Sequence, residues 1–201
     1  MPNGSTASVI DAAPAQSPVQ VSGLSLIPGQ TLNFSVTGAV SNTPFLPPPT
    51  ATPDGEVFIS HLPGSQNGIS DITAPINSLV GVFLDNSQPD STSAPAALNF
   101  SSIGLNFSSL APQVKQVFFI GDGLTGTGSG AVQNFIVPTG ATRLFLGTMD
   151  GYEWNNNTGS FSVTVQAVPE PSTIFGLGVL GFGAFFKHNL AKSNKSNKQD
   201  N

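Results

Sequence analysis

Thr31-Leu32-Asn33-Phe34-Ser35-Val36-Thr37-Gly38 and Ser160-Phe161-Ser162-Val163-Thr164-Val165-Gln166 share one plan, with apolar residues at every second position and small polar ones between. Successive side chains of an extended chain point to opposite faces, so Leu32, Phe34 and Val36 line one face of a half-buried strand, and Phe161, Val163 and Val165 one face of another. Shorter runs of similar kind surround them: Val19 to Leu26 ahead of the Pro28-Gly29 turn, Glu56 to Ser60, Leu79 to Leu84, Gln116 to Ile120, Gln133 to Val137 and Arg143 to Thr148. Val, Ile, Thr and Phe suit a pleated surface, and turn residues separate the runs. The Pro-rich stretch Phe45 to Pro53 predicts a loop, and Gly121 to Gly130 a mobile hairpin loop. About eight short strands and no convincing helix in this region predict an all-β, jelly-roll-type β-sandwich. Leu98-Asn99-Phe100-Ser101-Ser102 returns as Leu105-Asn106-Phe107-Ser108-Ser109. Two copies are too few for a solenoid, and neighbouring extended pieces are expected there.

Composition agrees with that class. The 201 residues include 22 Gly and 17 Pro with only 8% charged residues, which disfavours long helices. Fifteen Phe supply the apolar surface a core needs, so a folded domain is expected rather than a disordered chain. The absence of Cys excludes disulfides and thiolate metal sites. Residues 1–170 carry ten acidic side chains against two basic ones, Lys115 and Arg143, whereas residues 171–201 carry four Lys and one Asp. An acidic body without a basic stripe repels phosphate backbones, so nucleic acid is not expected as a partner.

The basic end follows a distinctive order of segments. Val168-Pro169-Glu170-Pro171-Ser172-Thr173 precedes thirteen uncharged residues, Ile174 to Phe186, and then Lys187, Lys192, Lys195 and Lys198. As a helix the apolar run spans about 20 Å, short for a hydrocarbon layer of about 30 Å unless flanking residues join it and Lys187 snorkels. Gly176, Gly178, Gly181 and Gly183 would each cost a water-soluble helix about 1 kcal/mol, but small residues are tolerated in membrane helices. The lysines predict that this end stays cytoplasmic. Motif, short span and basic end together resemble the PEP-CTERM sorting signal of exopolysaccharide-producing bacteria. That resemblance implies export, recognition by an exosortase-type processing enzyme, and transient anchoring in the membrane before release or attachment at the cell surface. The chain therefore divides into a flexible lead-in (1–18), a β-sandwich (19–167) and a sorting segment with an apolar helix outside the fold (168–201). Met1 to Thr6 show no secretory signal, so an export signal is expected upstream of Met1.

Signs of catalysis are nearly absent. His61 is the only His before the tail, and neither H-E-x-x-H nor G-x-S-x-G occurs, so no enzyme is expected. Asp54 and Glu56 are close in sequence, as a glycosidase's carboxylate pair could be, but that spacing is common by chance and a solvated turn before a strand is the expectation. The informative stretch is Asp150-Gly151-Tyr152-Glu153-Trp154-Asn155-Asn156-Asn157-Thr158-Gly159, which sets the only Trp and the only Tyr beside two carboxylates and three amides. Calcium takes six to eight oxygen ligands from such groups, and a sugar site wants a flat aromatic face ringed by polar groups. The same residues suit a plain hairpin, since Asn and Gly accept left-handed conformations.

Asn156-Asn157-Thr158-Gly159-Ser160-Phe161-Ser162-Val163, preceded by Asp150 and Leu144-Phe145-Leu146, is similar to the calcium-dependent galactophilic lectins of bacteria. Ile27-Pro28-Gly29-Gln30 with the strand after it, Ser41 to Pro44, and Phe135-Ile136-Val137-Pro138 before Gly140-Ala141-Thr142 extend the similarity over roughly residues 19–166. The resemblance implies a small β-sandwich binding galactose through calcium. The metal ligands would be the side chains of Asp150, Asn156 and Asn157, with backbone carbonyls near Asn42 and near Tyr152 or Glu153. Asp150, Trp154 and Asn156 would meet the sugar. Here the Asp-to-Asn spacing is one residue shorter than in the family. Around Thr52 to Gly55 nothing matches the His and Gln that help hold galactose there. Two functions are open on this reading: a surface-targeted, calcium-dependent binder of exopolysaccharide or envelope glycan, and a structural matrix protein that keeps the fold without sugar recognition.

Overall fold

The computed structural model describes residues 18–43, 49–152, 154 and 156–169. The chain divides into two compact units, Met1–Val168 and Pro169–Asn201. The apolar helix expected over Ile174 to Phe186 lies outside the described residues, as do Glu170, Pro171, Ser172 and Thr173 of the motif. No helix among the described residues is long and apolar enough to cross a membrane.

Among the described residues thirteen strands follow one another: β1 (Val19–Gln20), β2 (Thr31–Ser41), β3 (Phe58–Ser60), β4 (Ile72–Pro75), β5 (Leu79–Leu84), β6 (Leu98–Asn99), β7 (Ser109–Leu110), β8 (Val117–Phe119), β9 (Leu124–Gly126), β10 (Ser129–Val132), β11 (Asn134–Ile136), β12 (Arg143–Thr148) and β13 (Thr158–Ala167). Two four-stranded sheets, β1-β12-β5-β8 and β13-β2-β11-β7, make the all-β sandwich. The hairpin β9-β10 and the three-stranded β3-β4-β6 flank them. Strand β1 pairs with β12 and β2 with β13, so each sheet joins an early strand to a late one, as a jelly roll does.

The two alternating stretches become partners. β13 runs antiparallel to β2 from Thr158 opposite Ser41 to Ala167 opposite Leu32, without a break in register. Leu32, Phe34 and Val36 turn inward and are buried. Gly159 (φ 85°) stands opposite Val40, and a Cβ on it would lie 2.3 Å from the Ala39 carbonyl oxygen, so only Gly lets the strands close here. Phenylalanines fill the space between the sheets. Phe118 of β8 stacks on Phe83 of β5 at 5.2 Å and meets Phe135 of β11 at 5.7 Å, and Phe34 stands edge-on to Phe135 at 5.0 Å. Each is buried, which stabilises the fold by about 1.5–3 kcal/mol per ring.

Several elements depart from the sequence pattern. Val19 to Leu26 is a strand only at Val19–Gln20; Val21, Leu24 and Leu26 instead pack their side chains against the core from irregular backbone. The repeated pentapeptides are not two extended pieces. In the first copy Asn99 caps a single helical turn, Phe100–Ile103, by accepting from Ser101 N at 3.0 Å, while the second leads into β7. Asn prefers that capping role, and the burial of Phe100 favours the turn. Nor is Asp54 merely a solvated turn residue: half-buried, it accepts from Asp122 N at 3.0 Å and ties the Gly-rich hairpin to the body. Lys115, buried in a left-handed conformation, donates from Nζ to the carbonyls of Pro89 (3.3 Å), Thr92 (3.1 Å) and Ser93 (2.9 Å) and so pins that loop.

Candidate metal and ligand site

One end of the sandwich gathers polar side chains from five places. β12 ends at Thr148 and β13 begins at Thr158, so the intervening loop lies where the last β2–β13 pair, Ser41 and Thr158, hands over to Asn42 and Asn157. The turn between β4 and β5 is bonded to the start of this loop: Asn77 N donates to Met149 O (2.8 Å) and Met149 N to Ser78 O (2.7 Å). The stretch before β3 joins the same turn, with Glu56 N donating to Ile76 O (3.0 Å).

Asp150 is 9% exposed. Its Oδ1 accepts from Tyr152 N at 3.0 Å, the local turn that Asp favours, while its Oδ2 is buried without a hydrogen-bond partner. Asn157 donates from Nδ2 to Thr148 Oγ1 at 3.3 Å, and its Oδ1 is likewise buried and unpartnered. So is Asn156 Oδ1. A buried acceptor left without a donor costs about 1–3 kcal/mol, and more when it is charged. Three such oxygens on one loop are a set that a cation would satisfy. Burial pushes the Asp150 carboxyl above its ordinary value; the Tyr152 N–H, the Asn157 amide, the Gly151 N–H and the charge of His61 oppose that rise only in part. A positive charge at Oδ2 would relieve the same desolvation.

Asp150, Asn156 and Asn157, the side chains expected as ligands from sequence, each carry a buried oxygen without a partner, as do Asp54, Gln66, Asn77, Ser78 and Gln133. Tyr152 serves the site through its N–H. Asn42, expected to offer a backbone carbonyl, follows the end of β2, and its side-chain oxygen accepts from Asn77 Nδ2 at 3.2 Å. Trp154 is half-buried and lines two concavities: a cavity of about 140 Å³ that it shares with Asp150, and a groove of about 860 Å³ along β13 that it shares with Asn157.

Four residues join this end that no sequence pattern connected to it. Asn77 and Glu56 enter through the β4–β5 turn. His61 and Gln66 line the cavity with Asp150 and Trp154, and Leu62 N donates to Gly151 O at 2.8 Å, which holds their segment against the loop. Only a long-range contact brings them there, so neighbouring residues carried no signal. Among the described residues no three His, Cys, Asp or Glu side chains converge on a point, so a cation here would rest on one carboxylate and on amides.

An all-β body joined to a C-terminal sorting segment defines the class: an exported, surface-targeted protein. Residues 167–187 match the PEP-CTERM protein-sorting motif. That motif marks proteins that are processed by exosortase and anchored transiently at the membrane by the C-terminus before becoming surface-associated. No curated protein and no solved structure matches the chain.

Proposed function

We propose that the sandwich is a calcium-dependent carbohydrate-binding domain that holds exopolysaccharide or envelope glycan at the cell surface. The observation that carries this reading is that Asp150 Oδ2, Asn156 Oδ1 and Asn157 Oδ1, all on one loop, are each buried without a hydrogen-bond partner. Carboxylate and amide oxygens are the ligands a hard cation such as calcium takes, and no nitrogen or sulfur competes in that set. Calcium bound there supplies a positive centre to which paired sugar hydroxyls coordinate. Trp154 offers the flat apolar face beside it, with His61 and Gln66 in the adjoining cavity.

The role is binding rather than catalysis, because the unpartnered atoms of the loop are acceptors suited to a cation. The sorting motif fits such a role, since it delivers the domain to where such glycans lie. The test is a glycan array probed with the full chain in detergent, with calcium and again with chelator. Calcium-dependent binding to a defined sugar class supports the reading. Equal signal in both arms, or none, removes it in favour of a matrix protein with no sugar recognition.

A further inference from the structure

We infer that Asn77 is a further ligand of this cation site, and that through it Glu56 supplies the site's second negative charge; the inference rests on the calcium reading above. Asn77 is 2% exposed and sits in the β4–β5 turn with φ 68°, a left-handed conformation that Asn tolerates better than most residues. Its Nδ2 donates to Asn42 Oδ1 at 3.2 Å and to Glu56 Oε2 at 3.1 Å. An ionised carboxylate only accepts, so turning the amide over would set two acceptors against each other. The nitrogen therefore faces Glu56, and Oδ1 faces away from it, buried and without a donor.

The hydrogen bonds set Asn77 at the same end of the sandwich. Asn77 N is bonded to the carbonyl of Met149, the residue before Asp150. Asn42, which receives the amide, follows Ser41, whose ladder partner Thr158 follows Asn157. Asn77 is thus bonded to the start of the loop that carries the orphaned oxygens and, through Asn42, to the end of β2, the strand that pairs with β13. Charge gives a second argument. Asp150 alone leaves a divalent cation with a net positive charge, and Glu56 is the carboxylate one hydrogen bond behind Asn77. A carboxylate holding a ligand's amide N–H makes the amide oxygen a better donor to a metal, as outer-shell partners do for metal-bound His.

Calorimetric titration of the full chain in detergent with calcium chloride tests this. Asn77→Gly keeps the left-handed backbone and removes only the side chain. It should weaken calcium binding about tenfold to a hundredfold, while the calcium-free melting temperature falls through loss of the two amide hydrogen bonds. Glu56→Gln should weaken binding by a smaller factor. Asn77→Asp, which sets a carboxylate beside Glu56, should melt lower without calcium and show a larger calcium-induced rise than the wild type. Wild-type affinity in Asn77→Gly overturns the inference. Should that variant fail to fold, Asn77→Asp decides, because a purely structural Asn77 gives the lower melting temperature with no larger calcium-induced rise, which also overturns it. A wild-type chain that binds no calcium at millimolar concentration brings down the calcium reading itself.

Discussion

Asn157, at the head of β13, donates its amide to Thr148 Oγ1, at the end of β12, across 3.3 Å. The bond links the two sheets of the sandwich at the rim of the loop between those strands. It also uses the nitrogen side of the amide, which leaves Oδ1 turned to a buried position with no protein donor.

If calcium completes that position, it binds the folded chain and not the unfolded one. Stability should then rise by RT ln(1 + [Ca]/Kd), about 2.7 kcal/mol at a hundred times Kd. For a domain of this size that is a rise of about 5–10 °C in melting temperature. Chelator should lower the melting temperature of the wild type and leave Asp150→Ala unchanged, and Trp154 fluorescence should follow the same titration. Calcium that moves neither signal reduces the loop to a plain hairpin.

The Asp150 carboxyl gives a dependence on pH whose sign is fixed by its environment. Burial raises its folded-state value above 3.8, so the folded chain holds this proton more tightly than the unfolded one. Its favourable contribution is full below 3.8 and is lost as pH rises through the raised folded value. In chelator, Asp150→Asn should therefore be more stable than wild type at pH 7, and the difference should shrink as pH falls toward 4. Melting curves of the two proteins across that range give the comparison. An advantage for Asp150→Asn that grows toward low pH contradicts the assignment.

Phe135 is fully buried and touches Phe34, Phe107 and Phe118, so it joins its own sheet to the facing one. Phe135→Ala should cost about 3–5 kcal/mol, the range for emptying a core aromatic position. Urea unfolding should show the midpoint falling. A loss below about 1 kcal/mol means that the ring is not the bridge described.

The sorting segment should be dispensable for folding. Val168 N still donates to Thr31 O at 2.9 Å, which closes the β2–β13 ladder, and the second unit begins at Pro169. A chain ending at Val168 should be soluble without detergent and melt within about 2 °C of the full chain, since few contacts cross a unit boundary. Aggregation, or loss of a cooperative transition in scanning calorimetry, counts against that division.

Much of the strand pattern could be read from single residues. Leu32, Phe34 and Val36 announce one buried face, because the two-residue period of a strand is local and any extended chain obeys it. β5, β8, β11 and β12 were legible for similar reasons. Short pieces such as β4, β6 and β7 were not, since two to four residues bear too little pattern to outweigh their partners' packing. The two pentapeptide copies make the same point: near-identical residues became a capped turn in one case and led into a parallel edge strand in the other.

The candidate site divides along the same line. Asp150, Asn156 and Asn157 lie within one loop, and the chemistry of their oxygens, like the order of the sorting motif, is written in consecutive residues. That those oxygens are buried and unpartnered is a property of the packed sandwich. So is the arrival of Asn77, Glu56, His61 and Gln66, which stand some 70 to 100 positions earlier in the chain. Composition and spacing act through neighbours along the chain, and they therefore determined the strands, the donors and the destination of this protein. Desolvation and the orientation of an amide depend on what lies across the sheets, and only the tertiary structure decided which of those oxygens remain without a partner.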